Sequence, residues 1–78
     1  MAGNRSIDHT VGSRIALARI VRGWTSDQLA RRAGVDADML RIIEGGNARA
    51  GARRLFDLAR VLGVPVRWFF ETAGRQTS

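Results

Sequence analysis

The sequence predicts an all-α domain built from short helices, and three observations carry that prediction. Glycine recurs at Gly12, Gly23, Gly34, Gly45, Gly46, Gly51, Gly63 and Gly74 and divides the chain into short stretches. Within those stretches the apolar residues fall at three- and four-residue spacing, the period of one helix face. No stretch alternates apolar and polar residues beside a hairpin turn, as a strand pair requires.

The first helix is expected over Val11 to Arg22. Val11, Ile15 and Ala18 make a stripe at i, i+4 and i+7, and Gly23 closes the helix. The second starts at Thr25, because Thr25-Ser26-Asp27-Gln28 has the form of a capping box. Asp27 suits the positive helix start. Leu29, Ala30 and Ala33 then point inward, and Gly34 ends the helix. The third begins after Val35 with Asp36 as N-cap, buries Leu40 and Ile43, and stops at Glu44-Gly45-Gly46. A loop over residues 47–51 leads to a fourth helix at roughly Ala52 to Leu62, with Leu55, Leu58, Ala59 and Leu62 inward and Gly63 as its stop. After Pro65, the only proline, a short fifth helix carries Trp68, Phe69 and Phe70. Residues 1–9 and 73–78 are expected to be flexible tails around a single domain at 10–72, without internal repeats.

With 78 residues the core is small, so dimerisation is an expected source of extra stability. There is no cysteine, hence no disulfide framework and no thiolate metal site. His9 is the single histidine and reads as a solvated tail residue rather than a metal ligand. The chain also lacks lysine and tyrosine and shows neither a paired-carboxylate nor a phosphate-loop signature. An enzyme is therefore not expected, nor are catalytic residues, a cofactor, a metal or a small-molecule substrate. No apolar run approaches the ~20 residues that span a bilayer, and the first ten residues lack the apolar stretch of a signal peptide. The expected compartment is the cytoplasm, with no membrane partner.

The formal net charge is +6, from 13 basic and 7 acidic residues, and every basic residue is arginine. Arginine makes two-point contacts to phosphate and to guanine edges. The balance points to a polyanionic partner, although solvated surface charge alone gives the same sum.

Within residues 26–43, Ala30, Gly34, Leu40 and Ile43 have the spacing Ala-x3-Gly-x5-Leu-x2-Ile. The reason is steric. Two helices crossing steeply over a tight turn need a small residue at their closest approach, here Ala30. The turn needs a residue that tolerates positive φ, here Gly34. Leu40 and Ile43 then anchor the second helix and leave its other face free to enter a major groove.

From about Val11 to Glu71 the chain resembles the Cro/C1-type helix-turn-helix family, also called the XRE family. The residues that carry the match are Val11-Gly12, Ile15, Arg19, Arg22-Gly23, Leu29-Ala30, Ala33-Gly34-Val35, Leu40, Ile43-Glu44, Gly46, Leu55, Leu58-Ala59 and Leu62-Gly63-Val64-Pro65. The stretch Arg54 to Glu71 is similar to a bacterial subgroup whose domains end in Val-Pro-Val-x-aromatic-Phe-Phe-Glu. The resemblance implies a five-helix, phage-repressor-like domain. Its function would be sequence-specific binding of double-stranded DNA in transcription regulation, as a homodimer associated with a bacterial nucleoid. The helix at about 36–44 would be the recognition helix, with Ala37, Asp38, Met39, Arg41 and Ile42 facing the bases. Thr25 and Ser26 would meet one phosphate, and Asn47, Arg49, Arg53 and Arg54 the same or a neighbouring strand.

The sequence departs from that family in several places. Ser26 stands where glutamine is common and is long enough for phosphate only. Asp36 and Asp38 fit the helix start better than a base contact, though a cytosine amine is a possible donor to Asp38. Arg41 is the one obvious base reader, and its alternative is a solvated arginine paired with Glu44 or Asp38. Met39 and Ile42 suit thymine methyls or a protein surface. Leu17, Ile20 and Val21 make the first helix apolar almost all round, which implies either a partner surface or scattered exposed aliphatics. The three consecutive aromatics cannot all face inward; Phe69, helped by Phe70, is expected in the core, with Trp68 nearer the surface. In similar repressors the last helix forms a two-fold contact, which makes Trp68 and Phe70 candidates for a dimer interface, unless Trp68 lies over its own core. The rival function is a protein-interaction module that holds a toxin, a polymerase subunit or another regulator through the apolar surface of helix 1 or helix 3.

Overall fold

The computed structural model describes residues 2–71, with side chains from residue 7 onward, and its longest element is the first helix, α1 (Ala2–Val21). Then come α2 (Ser26–Ala33), α3 (Ala37–Glu44), α4 (Ala52–Leu62) and a short 3₁₀ helix at Val66–Phe70. No strand occurs among the described residues, and the domain is all-α. No described helix is long and apolar enough to cross a membrane.

The fifth element is 3₁₀ rather than α, so the described residues form four α-helices and one 3₁₀ helix. Pro65 sits extended at its start, and bonds from the Trp68 amide to the Pro65 carbonyl (2.9 Å) and from the Glu71 amide to the Trp68 carbonyl (3.3 Å) close it. Three residues per turn set successive side chains about 120° apart. Only one of three consecutive aromatics can then point into the core. Phe69 takes that place and is fully buried. Phe70 is half-exposed and does not help fill the core as expected. Trp68 is half-buried, packs against the core edge, and has the Arg14 guanidinium 4.5 Å from its ring centroid.

The N-terminal segment differs from expectation. Residues 2–9, read as a tail, continue α1 by more than two turns. The apolar stripe also begins a turn earlier, at Ile7, which shares a groove with Val11, Phe56 and Phe70. Asp8 accepts from Arg49 Nε at 3.4 Å, and His9 lies against Gly46, so this end of α1 rests on the segment after α3. The expected tail at residues 73–78 lies outside the described residues.

Local chemistry explains the shorter helices. Thr25 and Gln28 form the capping box of α2: the Gln28 amide donates to Thr25 Oγ1 (3.0 Å) and the Thr25 amide to Gln28 Oε1 (2.8 Å). Gly34, at φ 72°, ends α2 in the left-handed region, where a side chain would be strained. Asp36 caps α3 by accepting from the Met39 amide at 2.9 Å.

Leu29, Leu40, Ile43, Leu58, Leu62, Ile15 and Phe69 are fully buried, and every helix contributes to that core. Gly12 brings α1 directly onto the end of α3. A Cβ there would lie 2.1 Å from the Ile43 carbonyl oxygen and 2.9 Å from that of Glu44. The close approach fixes α3 at its C-terminal end while its opposite face stays in solvent.

Candidate nucleic-acid interface

Leu40 and Ile43 turn inward on α3, which leaves Asp38, Arg41 and Ile42 exposed on the far side. The spacing 38, 41, 42 is one helix face. Ala37 and Met39, also expected there, are half-buried and pack against the core. They flank the exposed stripe rather than lie on it, because at about 100° per residue they fall on either side of the buried Leu40 and Ile43 face.

Arg41 is held at both ends of its guanidinium. Nη1 donates to Asp27 Oδ1 of α2 (2.8 Å), and Nη2 donates to Asp38 Oδ1 one turn earlier on α3 (2.7 Å). These hydrogen bonds, the one to Asp27 first, push the guanidinium above its already high range, so it stays charged at any working pH. The expected alternative partner, Glu44, is engaged elsewhere. It forms a two-point pair with Arg19 and accepts from Ser26 Oγ at 3.2 Å.

The phosphate candidates divide into three groups. Thr25 is exposed and its hydroxyl acts as the cap acceptor, which leaves its O–H free to donate. The Ser26 O–H is turned onto Glu44, so Ser26 offers a first-turn backbone amide rather than its hydroxyl. Asn47 is exposed at the end of α3, its Nδ2 close to Gly45, and Arg49 reaches across to Asp8. At the other end of α3, Arg53 and Arg54 share a notch with Asp36 and the Gly34 turn. Arg53 projects into solvent beside Asp57 (3.5 Å), whereas Arg54 is half-buried and donates to the Ala50 carbonyl (3.2 Å). The exposed stripe of α3 is thus flanked at each end by N–H and guanidinium donors.

Two apolar surfaces lie away from this stripe. On α1, Leu17, Ile20 and Val21 are 50%, 62% and 77% exposed. Leu17 and Val21 border a shallow groove between Trp24 and Trp68, with Arg22 at its edge. The second surface is the groove of Ile7, Phe56 and Phe70.

Three participants were not singled out from the sequence. Asp27 read as a helix-start residue only, since its contact with Arg41 depends on how α2 and α3 cross. Phe56 falls on the outer face of α4, and no local pattern marks it. Trp24 carries the Arg32 guanidinium 4.3 Å and the Arg22 guanidinium 5.6 Å from its ring centroid, an arrangement that joins the loop to α2.

Residues 12–75 match a protein family described as a helix-turn-helix domain. An uncharacterized HTH-type transcriptional regulator of Sinorhizobium medicae is 40% identical over 67 residues, which is 86% of this chain and 48% of that protein. An uncharacterized transcriptional regulator in the ATPase CF(0) region of Rhodospirillum rubrum is 36% identical over 69 residues, 88% of this chain and 64% of its own length. The chain thus spans about half to two thirds of the curated relatives it matches. A crystal structure of a hypothetical transcription factor, NHTF, from Neisseria superposes with a TM-score of 0.85 over 95% of this chain and 85% of the other, at 19% identity.

Proposed function

Since this chain belongs to the helix-turn-helix domain family, we propose that it is a sequence-specific, double-stranded-DNA-binding transcriptional regulator of the Cro/C1 type. The observation that carries the reading is the exposed stripe of α3, with Arg41 at its centre and donors at both ends. A helix presented in this way has the dimensions of a major-groove reader, and flanking donors set its register on the phosphates. Names of relatives such as the Sinorhizobium medicae regulator support the same assignment. The compartment is the one that holds the genome, the cytoplasm of a bacterial cell.

The reading includes a homodimer. One stripe with a single arginine discriminates weakly, because each good two-point contact adds only about 1–3 kcal/mol. Two copies on half-sites about 34 Å apart double the readout. Phe70 and the exposed edge of Trp68 supply the contact, a role that suits large aromatics left partly in water. Selection from a pool of random duplexes tests the assignment. Enrichment of a two-fold symmetric motif supports it, and a pool that stays random removes it.

A second reading is favoured by one specific feature, the exposed Leu17, Ile20 and Val21 face of α1. In that reading the domain holds another protein, a toxin or a polymerase subunit, through this surface. Substituting Leu17 and Ile20 by Ser distinguishes the two: DNA selection persists if α3 is the working surface.

A further inference from the structure

We propose that Asp27 and Asp38 are specificity-determining positioning residues, which clamp Arg41 so that it reads a G·C pair rather than phosphate; this rests on the DNA-binding reading above. The motive is the charge and geometry of the cluster. One guanidinium stands between two carboxylates, at 2.8 and 2.7 Å, on two different helices. With one positive and two negative groups, the cluster carries a net single negative charge. A phosphate is repelled by it, so Arg41 is a poor general backbone contact even though it lies on the exposed face of α3.

A neutral acceptor is not repelled. Five guanidinium N–H groups less the two used on Asp27 and Asp38 leave three to donate. In the major groove only guanine offers two adjacent acceptors, N7 and O6, and its partner cytosine offers an amine next to them. The cluster presents the complementary set: guanidinium donors beside carboxylate acceptors. An A·T pair places its N6 amine where guanine has O6, opposite a donor. The clamp also removes side-chain freedom from Arg41 before binding, and two-point contacts lose least to entropy when the fork is preset.

The test compares four proteins on selected and random duplexes: wild type, Arg41→Ala, Asp27→Ala/Asp38→Ala, and Asp27→Asn/Asp38→Asn. Both aspartate side chains are mostly exposed, so the fold tolerates the changes. The wild type should prefer G·C at one position of each half-site. Arg41→Ala should lose that preference. The double alanine variant should keep Arg41 yet discriminate about tenfold less at that position, the scale of one two-point contact, and bind random duplex more tightly. The double asparagine variant, which keeps acceptors without charge, should show the same tighter random binding with a smaller loss of preference. If both double variants keep full G·C discrimination, the clamp proposal is overturned while the DNA reading stands. An unchanged motif with Arg41→Ala overturns it in the same way. A wild type that selects no motif removes both.

Discussion

Arg19 and Glu44, 25 positions apart, meet in a two-point ion pair: Nε to Oε2 at 2.9 Å and Nη2 to Oε1 at 3.1 Å. The third guanidinium nitrogen donates to the Trp24 carbonyl at 2.9 Å, and Ser26 Oγ donates to Glu44 Oε1. One arginine of α1 therefore ties the loop before α2 and the last turn of α3. The pair is largely shielded, with side chains 17% and 10% exposed.

Removing one partner of such a pair strands the other charge. Glu44→Ala should lower unfolding stability by about 3 kcal/mol, near the lower end for buried pairs. Asp57→Ala, which removes the partner of the exposed Arg53 and Arg60, should change it by less than about 1 kcal/mol. Denaturant titration of both variants reads the difference. Equal losses would mean that the Arg19–Glu44 pair is no better shielded than a surface one.

Gly12→Ala separates intrinsic propensity from packing. Helix propensity alone favours alanine by about 1 kcal/mol. The added methyl would meet the Ile43 and Glu44 carbonyls, which are backbone groups and cannot swing away. Overpacking of this kind costs about 1–3 kcal/mol or more. The net effect should be destabilising, visible as a lower thermal midpoint. A raised midpoint would show that α1 and α3 separate easily.

The aromatic trio should split into three behaviours. Phe69→Ala should cost about 3–5 kcal/mol as a core truncation. Phe70→Ala should leave stability nearly unchanged and shift sedimentation toward monomer. Trp68→Asp should do the same at some cost in stability, since the ring also packs on the core edge under Arg14. If Phe70→Ala still sediments as a dimer, the contact lies elsewhere, and Leu17, Ile20 and Val21 form the next surface.

Much of this arrangement is legible in the sequence where short-range chemistry decides. Thr25 with Gln28, Asp36, Gly34 and Gly63 mark helix ends by capping rules that need only neighbouring residues. Gly63 sets the end of α4 in this way, whereas its start at Gly51 has no side-chain cap. Features that need two distant elements are not legible. Asp27 meets Arg41 because α2 and α3 cross there, and the Ser26 hydroxyl turns inward because Glu44 comes beside it. The added turns of α1 meet Gly46 and Arg49 through His9 and Asp8, contacts between distant positions that residues 2–9, with Ile7 their one large apolar residue, do not announce locally. Phe70 faces out because the last element winds as a 3₁₀ helix, which sets it about 120° from the buried Phe69.

Binding should weaken steeply with salt. Arg49, Arg53 and Arg54 are the cations among the phosphate candidates, so three neutralised phosphates per subunit imply a log–log slope of about −3 per subunit, while Thr25, the first-turn amides of α2 and Asn47 position the backbone without adding to it. Titration between low and moderate salt measures it. A flat response would mean that these arginines are only solvated.

With α3 in the major groove and Arg41 at a base edge, methylation of the guanine that Arg41 reads should block binding of the selected duplex, which methylation interference measures. Dimethyl sulfate modifies guanine N7 in the major groove and adenine N3 in the minor groove. Interference is expected at one guanine N7 in each half-site, the two separated by about one helical turn, and should disappear with Arg41→Ala. Interference at adenine N3 alone, or at guanines that Arg41→Ala leaves unaffected, would contradict that placement of α3.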